Sequence, residues 1–411
     1  MTADLALRGR ALMGGTVVPD AVVVVRGDRI DRAGPASDVL PGLEEATRAS
    51  LRTLPDGAVL LPGLVDLHCH GAAGHDHGAA DEAGSRLAAD HHLRAGTTSA
   101  LASVVSGSRA ATGAAIAALR PLVADEVVTG VHLEGPYLSV ARCGAQDPRV
   151  LRDPDPGELA DWLAAADGAV ATMTIAPERP GALDAGTALR SAGAVPAVGH
   201  TDADEPTTTR FFRAMAADGR PALVTHLFNG MRPWHHRDSG PVAAALAAAA
   251  RSEAVVELVA DGVHLDDGTV RTLFDLVGPG RIALVTDAMA ATGMADGGYR
   301  IGELDVVVAA GVARLAPATP GAAPGSIAGG TSRLLDVVRR LVVGAGLPLA
   351  DVVTAATATP AGVLSRGAEI GALAPGCRAD LLVASAELRP LTVVRAGRFV
   401  RQPLPDTGGA S

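Results

Sequence analysis

With 411 residues, 48% hydrophobic but only 2% aromatic, the chain can bury a large core, and that core must be built from Ala, Val and Leu rather than rings. A formal net charge of −10 argues against general nucleic-acid binding, which needs a basic surface, and means that a small anionic substrate must be met by a local cluster of Arg and His. The three cysteines, Cys69, Cys143 and Cys377, are odd in number and far apart, so no disulfide framework is expected.

The chain starts without a basic region followed by an apolar leader, and its longest apolar run, around Val242 to Ala250, is too short to span a bilayer. These features point to a soluble, cytoplasmic protein with no membrane partner. The first sixty residues read as strands: Ala21 to Val25 is β-branched, and Arg26-Gly27-Asp28-Arg29 supplies a turn. The stretch from Ala379 to Val400 has the same character. The spacing therefore predicts one small β-sandwich domain made from both chain ends, residues 1–61 and 366–411, with residues 62–365 inserted between them.

Within that insert, eight apolar runs alternate with Ala/Leu-rich helical stretches, at 60–70, 97–103, 127–134, 169–176, 195–200, 222–228, 255–261 and 282–287. Eight strands alternating with helices predict an α/β fold, a TIM-like (β/α)8 barrel. A Val- and Gly-rich segment from Tyr299 to Leu315 reads as a hairpin inserted after the eighth strand, and a loose tail is expected after Pro403.

Chemistry concentrates at the ends of these runs. His68, His70, Glu134, His200, His226 and Asp287 each close or directly follow one, which is the end of the strand where a barrel builds its active site. Imidazole and carboxylate are the ligands of a catalytic Zn2+ or Fe2+ site. Period-two geometry would turn His68 and His70 to one side and Cys69 away. A buried Glu134 needs a cation, whether a metal or an Arg. Asp287 can be a helix cap or the general base beside a metal. Asp66 is either a partner of these ligands or a strand-end residue, and His132 is a candidate donor to a substrate oxygen. The chain contains no lysine, so a carboxylated-lysine bridge is impossible, and two metals would have to share a carboxylate such as Glu134.

The motifs PGLVDLHCH, HLEGPY, GHTDAD, THLFNGM, ADGVH, TDAM and GSIAGG, in this order and at this spacing, resemble the N-acetylglucosamine-6-phosphate deacetylases of the amidohydrolase superfamily. The resemblance runs from about Gly9 to Val400. It implies a barrel plus β-sandwich, a divalent metal (Zn, Fe, Mn or Co, one or two per chain), a homodimer, and hydrolysis of the N-acetyl amide of a phosphorylated amino sugar. Carried over by motif, Glu134, His200 and His226 hold the shared metal, His68 and His70 a second one, and Asp287 is the catalytic acid/base. Arg237 and His264 match positions that grip the sugar phosphate, Asn229 and Gly230 match pocket contacts, and Gln146 falls in a polar loop near the sugar. Gly230 stands where Ala is usual and Gly330 where Ser is usual, and Cys143 lies where many members carry a polar residue. The rival readings are a deacetylase of N-acetylgalactosamine 6-phosphate, another amide hydrolase, or a metal-binding scaffold without activity.

Overall fold

Eight strands form a parallel sheet in which each pairs with the next in the chain: β1 (Leu64–Asp66), β2 (Thr97–Val105), β3 (Gly130–Glu134), β4 (Val170–Ile175), β5 (Val195–Val198), β6 (Ala222–Val224), β7 (Ala254–Leu258) and β8 (Ile282–Leu284). This is a computed structural model, and it describes residues 4–317, 319, 323 and 325–401. Just beyond the last and first strands the ring closes: the Asp287 N–H donates to His68 O at 2.9 Å, and the His70 N–H to Ala288 O at 2.7 Å.

The strands are short and apolar for a physical reason. A parallel sheet covered by helices buries both faces, so its strands read as continuous apolar runs rather than alternating ones, and β3 and β7 are buried at every position. Helices follow the strands, and their starts are written in the sequence. Ser108, Asp155, Asp204 and Asp266 accept hydrogen bonds from the first backbone N–H groups of the helices that follow. Proline stands at the first turn in Pro156–Ala166, Glu205–Met215 and Gly240–Ala250, where its missing N–H costs nothing.

A second sheet joins the two chain ends. Leu5–Met13, Thr16–Arg26, Arg29–Pro35 and Val59–Pro62 pair in one sheet with Leu381–Ala384, Pro390–Arg395 and Arg398–Arg401. Period two sorts its side chains: Leu5, Leu7, Val23 and Val25 share a core with Leu60, Leu381, Val383 and Val394, whereas Ala6, Val22 and Val24 turn to the other face, against Val39 and Leu43. Backbone proximity divides the described chain into two compact units, residues 4–65, 92–99 and 334–401, and residues 66–91 and 100–333.

Two local expectations change. The apolar run 60–70 is not one strand: Val59–Pro62 belongs to the second sheet, β1 starts at Leu64, and His68 and His70 lie past its end. Hydrophobicity alone cannot divide a run whose two halves are both buried. The expected hairpin is a three-stranded antiparallel sheet, Gly297–Ile301, Leu304–Ala309 and Val312–Leu315, turned at Gly302 and Gly311, whose φ values are 52° and 73°. The tail expected after Pro403 lies outside the described residues. Among the described residues no helix is long and apolar enough to cross a membrane.

Candidate metal centre

The donors cluster because the barrel brings its strand ends to one mouth. Glu134 ends β3; His68 and His70 follow β1, His200 follows β5, His226 follows β6 and Asp287 follows β8. Three of them turn back on left-handed backbone, with φ values of 46° at His200, 30° at His226 and 48° at Asp287. Non-glycine residues avoid that region, and such strain gathers at functional sites, where the surrounding structure enforces it.

The donors form two groups, His68, His70 and Asp287, and Glu134, His200 and His226, all six residues buried. Glu134 Oε1 lies 3.0 Å from His200 Nε2 and 2.9 Å from His226 Nε2, and its Oε2 lies 3.3 Å from His70 Nε2. Asp287 Oδ1 lies 3.4 Å from His68 Nε2 and 3.2 Å from His70 Nε2. The imidazoles face each other nitrogen to nitrogen, at 3.0 Å for the Nε2 atoms of His68 and His70 and 3.1 Å for those of His200 and His226. Nitrogens this close are joined either by a hydrogen bond from one ring to the other or by a metal ion, and the donor set fits one or two divalent ions.

Burial opposes charge on His68, but Asp287, Glu257 and Glu134 outweigh it and raise the group to about 9. His70 and His200 rise against the same burial through their carboxylate neighbours. Glu134 and Asp287 are held ionised, well below the usual carboxylate range: burial opposes this, and the surrounding histidines overcome it.

Further groups support the donors from below. Asp66 accepts the His68 N–H at 3.2 Å and the Thr286 hydroxyl at 2.7 Å, and burial pushes its carboxyl up to about 6. Glu257 Oε2 lies 3.2 Å from His68 Nδ1 and accepts the His226 N–H at 3.1 Å. His200 Nδ1 donates to Arg142 O at 2.9 Å. His132 is not a donor to substrate. Its Nδ1 is 3.0 Å from Ser103 Oγ and its Nε2 2.8 Å from Thr174 Oγ1, and burial holds it neutral. It points into the barrel interior because it precedes Glu134 by two on the same strand.

Above the donors opens a cleft of about 480 Å3, lined by His70, Glu134, His200, His226 and Asp287 together with Gln146, Asn229, Gly230 and His264. Gln146 donates from Nε2 to Glu134 Oε2 at 2.6 Å and accepts the Ser106 N–H at 2.8 Å, so it holds the carboxylate. Asn229 donates to His226 O at 3.0 Å. His264 Nδ1 is 2.9 Å from Asp261 Oδ2, and its Nε2 is 3.8 Å from Asp287 Oδ2. The two unusual glycines have steric causes. A Cβ at Gly230 would sit 2.6 Å from His200 Nδ1, and one at Gly330 would collide with Thr286 O. Cys143 is a half-buried free thiol. Arg237 is exposed and is not among the residues lining the cleft.

Sequence reasoning missed Glu257, Arg142 and Arg314. Glu257 carried a signal, a single acid inside an apolar barrel strand. The two arginines line the cleft, Arg142 from the short turn Val140–Arg142 and Arg314 from the strand Val312–Leu315, and carried none. Arg142 is committed to Asp202 at 2.8 Å, whereas no acid pairs with Arg314 among the described residues.

The sequence pattern that defines the amidohydrolase family matches residues 59–400. The N-acetylglucosamine-6-phosphate deacetylase of Vibrio furnissii is 33% identical, over 84% of this chain and 84% of its own. The N-acetylgalactosamine-6-phosphate deacetylase of Escherichia coli O157:H7 is 32% identical, over 81% and 85%. Among solved structures, a mutant N-acetyl-D-glucosamine-6-phosphate deacetylase from Mycobacterium smegmatis, in complex with N-acetyl-D-glucosamine-6-phosphate, superposes with a TM-score of 0.87 at 38% identity, covering 98% of this chain and 100% of that one.

Proposed function

The chain belongs to the amidohydrolase family, and we propose that it hydrolyses the N-acetyl group of N-acetylglucosamine 6-phosphate, giving glucosamine 6-phosphate and acetate. The observation that carries this is a paired donor set at the floor of one cleft, with the Asp287 carboxylate held ionised between His70 and His264. Relatives acting on phosphorylated N-acetyl sugars support the substrate class.

Glu134, His200 and His226 would hold one divalent ion and His68, His70 and Asp287 a second, with Glu134 facing both. Zn2+, Fe2+, Mn2+ and Co2+ all suit these donors. A bound ion supplies Lewis acidity, which lowers the pKa of water and stabilises charge on the amide oxygen. The residues do the rest. Asp287 accepts a proton from the attacking water as the new C–O bond forms at the acetyl carbon. It returns that proton to the amide nitrogen as the C–N bond breaks, so acetate and a free amine leave. Gln146 keeps Glu134 in place. His264, raised above its ordinary value because Asp261 and Asp287 outweigh its burial, stands with its Nε2 3.8 Å from Asp287 Oδ2.

The phosphate requires cations in an acidic protein. Arg314 and His264 line the cleft of their own chain. Arg237, exposed and outside that cleft, would reach a phosphate only from a neighbouring subunit, as in a cytoplasmic homodimer. Arg314→Ala and His264→Ala should each lower kcat/KM for the phosphorylated sugar by about 1.5–3 kcal/mol, the range for a hydrogen bond to a charged group; Arg314→Ala should leave the poor turnover of the unphosphorylated sugar unchanged, whereas His264→Ala, whose ring also stands beside Asp287, should lower it too. Arg237→Ala should act in the same direction. An unaltered enzyme that treats both sugars alike would remove phosphate from the reading.

Acetate release from N-acetylglucosamine 6-phosphate, with and without a chelator, tests the activity. Faster release from the C4 epimer would move the assignment to N-acetylgalactosamine 6-phosphate. Metal number is tested separately: the metal-saturated protein should hold two equivalents, and the double variant His68→Gln, His70→Asn should hold one. A single equivalent in the unaltered protein would refute the second site.

A further inference from the structure

In β7 the sequence Val255-Val256-Glu257-Leu258 places an acid among apolar neighbours, and the structure buries it completely. Its Oε2 takes the His68 Nδ1–H and the His226 backbone N–H, and its Oε1 is buried with no hydrogen-bond partner among the described residues. An ionised carboxylate with one oxygen unsatisfied is costly to bury and is no packing device. Asp66, Glu134 and Asp287 lie buried around the same histidines, so Glu257 adds negative charge where three carboxylates already stand.

The contact has a direction. A carboxylate at Nδ1 fixes the proton there and leaves the lone pair on Nε2. In His68, Nε2 is the atom that faces His70 Nε2 and Asp287 Oδ1. Among the described residues the Nδ1 atoms of His70 and His226 are buried without a partner, so among these rings His68 is singled out for a carboxylate.

We propose that Glu257 is a positioning residue for the second metal: it holds His68 as an Nε2 ligand and supplies the buried negative charge that offsets a second dication. This rests on the two-metal reading of the site.

The test is a Co2+ titration of metal-free full-length protein, unaltered and as Glu257→Gln, with competing chelator. Glutamine keeps the shape and an oxygen for both N–H groups but removes the charge. The second equivalent should weaken by about 10–100-fold while the first keeps its affinity. Two equivalents of unchanged affinity in Glu257→Gln, with two in the unaltered protein, would overturn the role of Glu257 alone. One equivalent in the unaltered protein would overturn the two-metal reading with it. A second measurement does not depend on the variant folding. Nitrogen-15 spectra of the Zn2+-loaded unaltered protein should show His68 protonated at Nδ1, and an unprotonated His68 Nδ1 would overturn the assignment.

Discussion

Asp287→Asn is expected to lower kcat for deacetylation by about a thousandfold or more while the protein stays folded and keeps at least one metal. Asparagine matches aspartate in shape and can still offer an oxygen toward His70, so the fold has no reason to yield. What it lacks is a site of useful basicity. The attacking water then has no carboxylate to take its proton, and the departing nitrogen receives none. Both losses fall on the chemical step, so kcat should drop and KM should move little. Asp287 is suited to the role by its place: it is buried among the donors, with Oδ1 3.2 Å from His70 Nε2 and Oδ2 3.8 Å from His264 Nε2. Steady-state acetate release, read beside metal content and circular dichroism, checks this. Near-normal turnover in a folded, metal-loaded variant would move the proton to His264, whose Nε2 is 3.8 Å from Asp287 Oδ2.

The barrel was legible because its periodicity repeats. Each of the eight expected apolar runs overlaps a strand, and the four side-chain helix caps named above are Ser or Asp residues standing directly before their helices. The convergence of the donors followed from one rule, that strand ends share a mouth. What stayed hidden has physical reasons. The left-handed turns at His200, His226 and Asp287 leave no trace in hydrophobicity, because tertiary contacts impose them on residues that do not prefer them. The orientation of His132 depends on strand register, and a candidate two residues from a ligand on the same strand can still be a ring bonded to Ser103 and Thr174 beneath the site. Gln146 lies in a loop, where spacing says little about direction, and it reaches the metal-facing carboxylate. The place of Arg237 could not be read at all, since an exposed loop arginine has the same sequence signature whether it serves its own chain, another chain or solvent.

Glu134→Gln is expected to cost both metals. Its two oxygens serve different groups: Oε1 faces His200 and His226, while Oε2 faces His70 and accepts from Gln146. Glutamine can keep one oxygen. If that oxygen accepts from Gln146, the new amide NH2 turns toward His200 and His226 and places donors where lone pairs must converge on a cation. If the amide is reversed, two NH2 groups meet at the 2.6 Å contact with Gln146, which cannot be tolerated. Either orientation also removes a buried negative charge that a dication needs. Replacing a partner behind a ligand typically lowers metal affinity 10–100-fold, so losing a shared ligand should exceed about 100-fold at both positions and reduce acetate release by more than about a thousandfold. Glu134→Asp keeps the charge but withdraws it by one methylene, so it should retain more metal than Glu134→Gln. Elemental analysis of both variants after metal saturation separates these cases. Two full equivalents in Glu134→Gln would mean that the carboxylate is a structural counter-charge for the histidines, and that the metals, if shared at all, are joined by another group.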